Sequence, residues 1–492
     1  MREEMKFLSY TFLLLFLSSC AVSRFNPNKK YAPAQLKSDY SLFRNILEKE
    51  HPGLYWYTSV DSMNSYFDKG EKLLNDSLTE TGFRTVLSYV IAKIKCGHTS
   101  VRPSKAFSRA GPGRYFPLVI KTWGDTSVVT LNLNRRDSNV VRGSLLTAIN
   151  NVPLRIIIDS MFQHLSGDGY NLTHKYQTLS NRGVFGSTYA ALYGASRKYK
   201  VNYIDTVGRL RTDSVSLYTV FPDTSRRLRP PFPQPSKKER RKQMLLANRS
   251  LRFDTALNMA VMDVSTFTKG YKLTHFFKSS FKELNKRNTK HLVIDLRYNG
   301  GGSVTNSNLL TKFIADKPFK IADSLYALNR STPYKKYQKD RVSNALFLFF
   351  MTKKKRDGNY HFRYFERKKF KPKKKNHFDG QVYILIGGNT FSASTLFAQN
   401  VKEQTNVLIV GEETGGGAYG NNAWLIPDVT LPITKVRFRL PLFRLVMDKD
   451  LPKNGRGIVP EVEVLPTVKD IRHNVDYKMA KVIELVRTSP VR

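Results

Sequence analysis

The sequence has few cysteines, few acidic residues and no long apolar run. Its 492 residues include two cysteines, Cys20 and Cys96, so an internal disulfide requires Cys20 to stay unmodified in the mature chain. Only 39 Asp and Glu residues stand against 81 Lys and Arg residues, which gives a net charge of +42. Such an excess of positive charge favours nucleic acid, an anionic membrane surface or acidic partners.

The first twenty residues decide among these partners. An Arg and a Lys near the front precede an apolar run from Phe12 to Leu17. This run is too short to span a bilayer and has the layout of a secretory signal peptide. Its end, Leu17-Ser18-Ser19-Cys20, resembles a bacterial lipoprotein box, in which the cysteine is lipidated after cleavage; the alternative is an ordinary signal peptide with a chance cysteine. We therefore expect residues 1–20 to be a lipoprotein signal peptide. The protein would be anchored in the bacterial cell envelope, on the periplasmic or outer-membrane side, which argues against nucleic acid as a partner.

The rest of the chain divides by composition into four parts. Residues 21–108 show apolar residues at helical spacing, and residues 109–222 are rich in β-strand patterns. Within the latter, "VVRGSLLTAINNVPLRIII" resembles part of a PDZ domain. Residues 223–250 are rich in proline and basic residues, as in a linker. Residues 251–492 alternate strands and helices, which predicts an α/β layered domain.

A basic insertion interrupts this last domain between residues 330 and 375. It holds 17 Lys and Arg residues against three acids, around the apolar segment "ALFLFFM". One interpretation is a solvated excursion whose apolar segment packs on the domain. The other is a basic and aromatic patch that lies against anionic lipid.

The stretch "GGNTFSASTLFAQN" raises the question of chemistry. It runs from an apolar strand, "VYILI", into an apolar helix, so Ser392 falls at or just before the first helical turn. A serine there can act as a nucleophile, with the Ala393 N–H helping to bind an oxyanion. The alternative is simple helix capping by Thr390, Ser392 or Ser394.

Two further motifs favour chemistry. "LVIDLRYNGGGS" is an apolar strand that breaks into three glycines, Gly300 to Gly302, and such a loop can aim N–H groups at an anion. The Lys-Ser/Thr ending of a phosphate-binding loop is missing. Beside a serine at a strand-to-helix turn, the glycines suggest the second half of an oxyanion hole. His98, in the glycine turn "KCGHTSV", is a candidate base, although a lone histidine is more often structural.

These motifs occur together in a recognisable order. "IKCGHTSV", "HLVIDLRYNGGG", "DGQVYILIGGNTFSASTLFAQ", "GEETGGG" and "GRGIVPEVEV" resemble, in that order, the C-terminal processing (tail-specific) protease family. The resemblance covers nearly the whole mature chain. It implies an α/β fold with a ClpP/crotonase-like catalytic core, an N-terminal helical segment and a PDZ-like β-rich domain.

The resemblance also assigns roles to residues. The tail-specific branch uses a serine and a lysine, but the lysine position falls here on Gly417. The tricorn-like branch uses a histidine from a "G-H-T" or "S-H" motif, which matches His98. By this resemblance Ser392 is the nucleophile and His98 the general base and acid, while the N–H groups of Ala393 and of Gly301 or Gly300 form the oxyanion hole.

The sequence departs from that branch at two places. Gly97 stands where the branch has a serine before the histidine, and Asn454 stands where it has a glutamate; Asn454 is therefore the predicted partner that orients His98. An asparagine stabilises an imidazolium less than a carboxylate does. Another acid can serve instead, namely Glu412, Glu413 or Asp450, and Thr99 or Ser100 can supply the hydroxyl.

We therefore expect a lipid-anchored serine peptidase that hydrolyses peptides or unfolded chains by acyl transfer. Its PDZ-like segment would bind extended peptide by strand addition. No cofactor or metal is expected, because the sequence has no H-E-x-x-H and no Cys/His cluster. The main alternative is a family member without activity that binds peptides or hydrophobic ligands, and ester hydrolysis by the same Ser-His chemistry is a further one.

Overall fold

The computed structural model of the protein describes residues 25–110, 114–134, 137, 139–219 and 235–488. The predicted signal peptide and Cys20 lie outside this part of the chain. The described residues form a mixed α/β fold, as predicted. Their α-helices are α1 (Pro33–Glu50), α2 (Val60–Lys72), α3 (Glu80–Ile94), α4 (Lys105–Arg109), α5 (Leu154–Phe162), α6 (Thr173–Ser180), α7 (Val184–Tyr193), α8 (Lys237–Asn248), α9 (Leu273–Lys286), α10 (Val304–Ile314), α11 (Arg341–Met351), α12 (Arg363–Arg367), α13 (Ala393–Val401), α14 (Val468–His473) and α15 (Tyr477–Thr488).

The strands are short and fall into several sheets. They are β1 (Lys30–Tyr31), β2 (Leu78–Thr79), β3 (Val101–Arg102), β4 (Arg114–Tyr115), β5 (Leu118–Trp123), β6 (Thr126–Asn132), β7 (Leu145–Ile149), β8 (Val152–Pro153), β9 (Lys198–Ile204), β10 (Leu210–Ser216), β11 (Tyr218–Thr219), β12 (Arg249–Asp254), β13 (Met259–Val264), β14 (His291–Asp295), β15 (Ser324–Ala327), β16 (Lys353–Lys354), β17 (Tyr360–His361), β18 (Gln381–Ile386), β19 (Val407–Gly411), β20 (Gly420–Ala423), β21 (Asp428–Thr430), β22 (Arg437–Arg439), β23 (Phe443–Val446) and β24 (Val462–Glu463).

The C-terminal half is built on one six-stranded sheet in the order β12-β13-β14-β18-β19-β24. All pairings are parallel except the antiparallel pair β12 and β13. All five residues of β14 are buried and so are five of the six in β18, as expected for central parallel strands covered on both faces. The carboxyl ends of β14 and β18 meet at one edge of this sheet, which brings the glycine loop and the serine turn together.

The middle of the chain forms a separate antiparallel sheet in the order β10-β9-β7-β6-β5, with its own apolar core. The two-asparagine turn at Asn150 and Asn151 is present, and both residues have positive φ. The segment "LRIII" that follows is helical (α5) rather than part of the β-rich pattern, because Leu154, Ile157 and Ile158 are buried at helical spacing. The PDZ-like identity of this sheet stays a prediction.

The predicted linker contains a helix, α8, whose start is capped by Ser236 and Glu239; residues 220–234 lie outside the described part. The basic insertion is folded and only partly packed. Leu348 and Phe362 are buried, but the outward side of α11 leaves Phe349 61% and Phe350 73% exposed. The apolar segment is therefore not simply covered by the domain.

The N-terminal helices share a core with the C-terminal sheet. One polar contact ties them together: the buried Asp39 on α1 accepts hydrogen bonds from the Ile433 N–H, the Thr434 N–H and the Thr434 hydroxyl at 3.1, 2.7 and 2.7 Å. Two backbone donors thus depend on one carboxylate. The helical front is held to the core by hydrogen bonding as well as by apolar packing.

Replacing this carboxylate should weaken the fold. We expect Asp39→Ala to lower the free energy of unfolding by about 1–3 kcal/mol, because two buried N–H groups lose their acceptor. A urea titration measures this loss. Asp76→Ala, at an exposed acid, is the matched control and should change stability by less than about 0.5 kcal/mol. Equal stability of the two variants would contradict the role assigned to Asp39.

Candidate active site

Ser392 stands at a strained turn between β18 and α13. Its backbone has φ 57° and ψ −122°, a conformation that costs a residue with a side chain about 1–3 kcal/mol. Its side chain makes no capping hydrogen bond to the helix, so the capping interpretation fails for this serine. Thr390 binds the turn instead, donating to the Leu296 carbonyl at 2.8 Å and accepting from the Gly387 N–H at 3.0 Å. The Ser392 hydroxyl is therefore not used to cap the helix.

The glycine loop after β14 lies directly against this turn. Gly301 has φ +95°, and a Cβ added there would lie 2.7 Å from Ser392 Cβ and 2.9 Å from the Ala393 nitrogen. The Ala393 N–H has no acceptor among the described residues, which suits the predicted oxyanion hole. The Gly301 N–H donates to Asn299 Oδ1 at 2.9 Å. The second oxyanion donor, Gly301 or Gly300, stays a prediction.

Asn299 joins the loop to the serine turn. It is fully buried, and its side chain donates to the Val264 carbonyl at 2.8 Å while accepting from Gly301. Its own carbonyl accepts from the Phe391 N–H at 3.1 Å. Asn299 therefore connects the glycine loop to the turn that carries Ser392.

His98 reaches the site from the end of α3. The helix ends at Lys95 in the left-handed conformation, and His98 follows with its ring centroid 4.8 Å from that of Phe391, the neighbour of Ser392. Gly97 leaves room for this contact, because a Cβ there would lie 2.5 Å from the Phe391 ring. That clash explains why a glycine replaces the serine of the tricorn-like branch.

The surroundings keep His98 neutral. Its side chain is buried, and neither ring nitrogen has a hydrogen-bond partner in the described part of the chain. Burial, and then the nearby charge of Arg439, lower its pKa to about 3. A neutral imidazole with one nitrogen open to accept a proton is the form that a general base requires.

A buried acid that the sequence analysis did not select, Asp168, lies beside His98. One oxygen of its buried carboxylate accepts from the Gly97 N–H at 2.8 Å and the other from the Gly417 N–H at 3.3 Å. Donor atoms of Asp168, His98 and Cys96 all lie within 4.8 Å of one another. Burial raises the pKa of Asp168 to about 7. Gly417 is the position at which the tail-specific branch has its lysine.

None of the residues that the sequence analysis proposed to orient His98 is hydrogen-bonded to it in the described part of the chain. Asn454 is exposed, and its side-chain oxygen accepts from the Arg456 N–H at 3.0 Å; the structure shows no hydrogen bond from it to His98. Glu413 pairs with Arg456 and Glu412 with Lys478, while Asp450 lies exposed. The orienting role of Asn454 stays a prediction.

One of the two hydroxyls proposed from sequence, that of Thr99, has another partner; the role of Ser100 stays a prediction. Thr99 Oγ1 lies 2.7 Å from His51 Nε2, so it does not face His98. A second histidine that the sequence gave no reason to select, His174, packs on Phe391 at 4.9 Å between ring centroids. Its Nδ1 lies 2.7 Å from the Gly388 carbonyl oxygen, which braces the turn before Ser392.

The missed residues carried weak sequence signals. Asp168 lies in "SGDGYN", a glycine-flanked acid with no apolar pattern around it, and Asn299 lies inside the glycine motif itself. Glycines beside a polar residue mark close backbone approach. They do not reveal which remote segment approaches.

Proteins of known structure share this fold. Residues 258–464 match the model of Peptidase family S41. Mature CPAF, alone and complexed with lactacystin, has a similar fold at a TM-score of 0.64 and 15% identity, over 93% of this chain and 99% of that chain. A putative peptidase from Parabacteroides merdae ATCC 43184 follows at a TM-score of 0.46 and 13% identity, over 93% of this chain and 97% of that one. No curated protein matches the chain by sequence.

Proposed function

Because residues 258–464 carry a Peptidase family S41 domain, we propose that the protein is a serine peptidase that hydrolyses peptides or unfolded chains by acyl transfer. One observation carries the proposal. Ser392 is held at φ 57° without capping its helix, beside the unpaired Ala393 N–H. Backbone strain at a polar residue is common where a fold positions a reacting group.

In the proposed reaction Ser392 is the nucleophile and His98 the general base. His98 takes the proton of the Ser392 hydroxyl as its oxygen attacks the peptide carbonyl. The Ala393 N–H, with a glycine N–H of the 300–302 loop, stabilises the oxyanion. His98 then gives its proton to the leaving amine, and water, deprotonated by His98, hydrolyses the acyl-enzyme.

Asp168 would be the positioning residue for His98. Its ionised carboxylate would accept a hydrogen bond from the imidazole and stabilise the imidazolium that forms during attack. Two backbone N–H groups already fix its orientation, and hydrogen bonds of this kind often tighten only when substrate binds. In this proposal Asp168 replaces the glutamate whose place in the sequence is taken by Asn454.

The nucleophile and base are tested by single substitutions. In the mature chain from Ala21 onward, we expect Ser392→Ala and His98→Ala each to lower the cleavage rate of an unfolded protein by about 10³-fold or more. Ser394→Ala, in the same helix, is the matched control and should stay active. A fluorophosphonate probe should label wild type and the control but not Ser392→Ala.

Each other result points elsewhere. Activity that survives His98→Ala would identify a different base, with His174 the first to examine. A wild-type chain that neither cleaves nor reacts with the probe would be the binding protein of the alternative. Cleavage of simple esters without cleavage of peptides would favour an esterase.

The role of Asp168 is tested by pH dependence. Its carboxyl pKa is raised, so it is charged only as the pH rises through about 7; wild-type kcat/KM should therefore increase over that range. We expect Asp168→Asn to lower kcat/KM by about 100-fold or more and to remove this step. Asn454→Ala is the comparison: if it removes activity while Asp168→Asn retains it, Asn454 is the partner of His98.

The second part of the proposal concerns location. We infer from the lipoprotein box that Cys20 carries a lipid anchor in the bacterial cell envelope. In the described residues, no helix is long and apolar enough to cross a membrane. A single lipid chain gives weak membrane binding, and a basic patch is a known second signal.

The outward face of α11 offers such a signal. Val342, Leu346, Phe349 and Phe350 are 53–73% exposed, within a segment that holds 17 basic residues and three acids. Apolar side chains rimmed by Lys and Arg match the boundary between acyl chains and anionic headgroups. We propose that this face rests on the anionic lipid surface to which the chain is anchored.

Vesicle binding tests the α11 face. We expect the double substitution Phe349→Ser and Phe350→Ser to weaken binding of the chain from Ala21 onward to vesicles with anionic lipid by about tenfold or more, because two rings lose burial. Val207→Ser with Leu210→Ser is the matched control, since these side chains are 72% and 74% exposed. Equal binding of both double variants would refute the contact, and so would undiminished binding after deletion of residues 330–375.

A further inference from the structure

We propose that Cys96, His98 and Asp168 form a binding site for Zn²⁺, and that the bound ion holds the peptidase inactive. The first half of this proposal rests on the donor atoms alone. The second half rests on the proposed function of His98 as the base.

The geometry brings three different donor types to one place. Three donor atoms lie within 4.8 Å of one another: the sulfur of Cys96, a ring nitrogen of His98 and a carboxylate oxygen of Asp168. Cys96 and His98 belong to one turn in the spacing Cys-x-His, and Asp168 approaches from 70 residues along the chain. Small side-chain rotations bring such atoms to the 2.0–2.3 Å that Zn²⁺ takes from nitrogen, oxygen and sulfur.

The unpaired histidine is the second, independent observation. His98 is only 6% exposed, and neither of its ring nitrogens has a hydrogen-bond partner among the described residues. A buried polar atom without a hydrogen bond costs free energy, and a ligand at this place removes that cost. Thiolate, imidazole and carboxylate together are the donors that Zn²⁺ prefers.

Charge and support also fit. Zn²⁺ binding would release the Cys96 thiol proton, and that of Asp168 when protonated, to water, so that two anionic ligands balance the ion and the buried site becomes neutral. The N–H groups of Gly97 and Gly417 hold the Asp168 carboxylate from behind, the kind of outer contact that orients metal ligands. Arg439 is a nearby cation that acts on His98. Its positive charge would repel Zn²⁺ if fewer anionic ligands balanced the ion.

Occupation of the site would stop the proposed reaction. An imidazole nitrogen that donates its lone pair to Zn²⁺ cannot accept the proton of Ser392, and Asp168 could no longer support the imidazolium. The same atoms thus serve the base in the free enzyme and the metal in the inhibited one.

Co²⁺ is the probe for the site, since it replaces Zn²⁺ and is coloured. In the chain from Ala21 onward Cys96 is the sole thiol, so one equivalent of Co²⁺ should give a thiolate-to-metal charge-transfer band, which Zn²⁺ abolishes. Zn²⁺ should inhibit cleavage over the range in which it displaces Co²⁺. We expect Cys96→Ser to lose the band. Its sensitivity to inhibition by Zn²⁺ should fall by about 100-fold or more, since even changes outside the ligand shell lower metal affinity by about 10–100-fold.

A surface pair provides the matched control. His377→Asn removes a histidine that lies 2.8 Å from Asp379, and it should keep the band and the Zn²⁺ sensitivity of wild type. Absence of the band, or an unchanged band in Cys96→Ser, would overturn the site. A band without inhibition would overturn the inhibitory role. A band in a chain that never cleaves peptide would support the metal site and count against the peptidase function alone.

Discussion

The candidate site depends on one buried carboxylate that joins three remote parts of the chain. Asp168 comes from the loop after the first helix of the middle domain, Gly97 from the end of the helical front and Gly417 from the loop after β19. Its two oxygens accept one backbone N–H from each of the latter two. Since a buried carboxylate needs such donors to be tolerated, these contacts fix where the turn that carries His98 stands relative to the C-terminal half.

A second constraint acts on the serine side. The buried side-chain amide of Asn299 binds the end of β13 and the glycine loop. Its backbone carbonyl accepts from the Phe391 N–H. The strain at Ser392 can persist because this network and the buried Thr390 determine the turn from both sides. Phe391 then links the two constraints, since its ring packs on His98 and His174 while its backbone is held by Asn299. The positions of Ser392 and His98 are therefore not independent.

Sequence reasoning succeeded where the signal is local. Central strands are recognisable in the sequence as short apolar runs. Parallel strands have their carboxyl ends at the same edge of a sheet, so Ser392 and the Gly300–Gly302 loop were predicted to meet. The N-terminal helices followed from periodicity in the same way. Short apolar segments were harder to assign. The segment "LRIII" is too short for its pattern to show whether it forms a buried strand or a helix.

Contacts between remote polar residues could not be predicted. Nothing around Asp168 says that Gly97 and Gly417 approach it, and the place of Asn454 in a motif does not reveal that its amide binds the next turn instead of His98. Such pairings depend on how whole domains dock, which local patterns do not encode.

The sharing of donor atoms has a physical consequence for how the site can evolve. A general base must be unprotonated and must keep one nitrogen open to accept a proton, and its positioning carboxylate must be buried beside it. Those are also the properties of an unoccupied metal site. A serine or alanine at position 96 would leave the base intact and remove the soft donor, whereas a cysteine there adds a strong zinc ligand at no cost in packing, because a thiol behaves as a small apolar side chain. Under the proposed function, the identity of this one residue would therefore separate a site that only catalyses from one that also binds Zn²⁺.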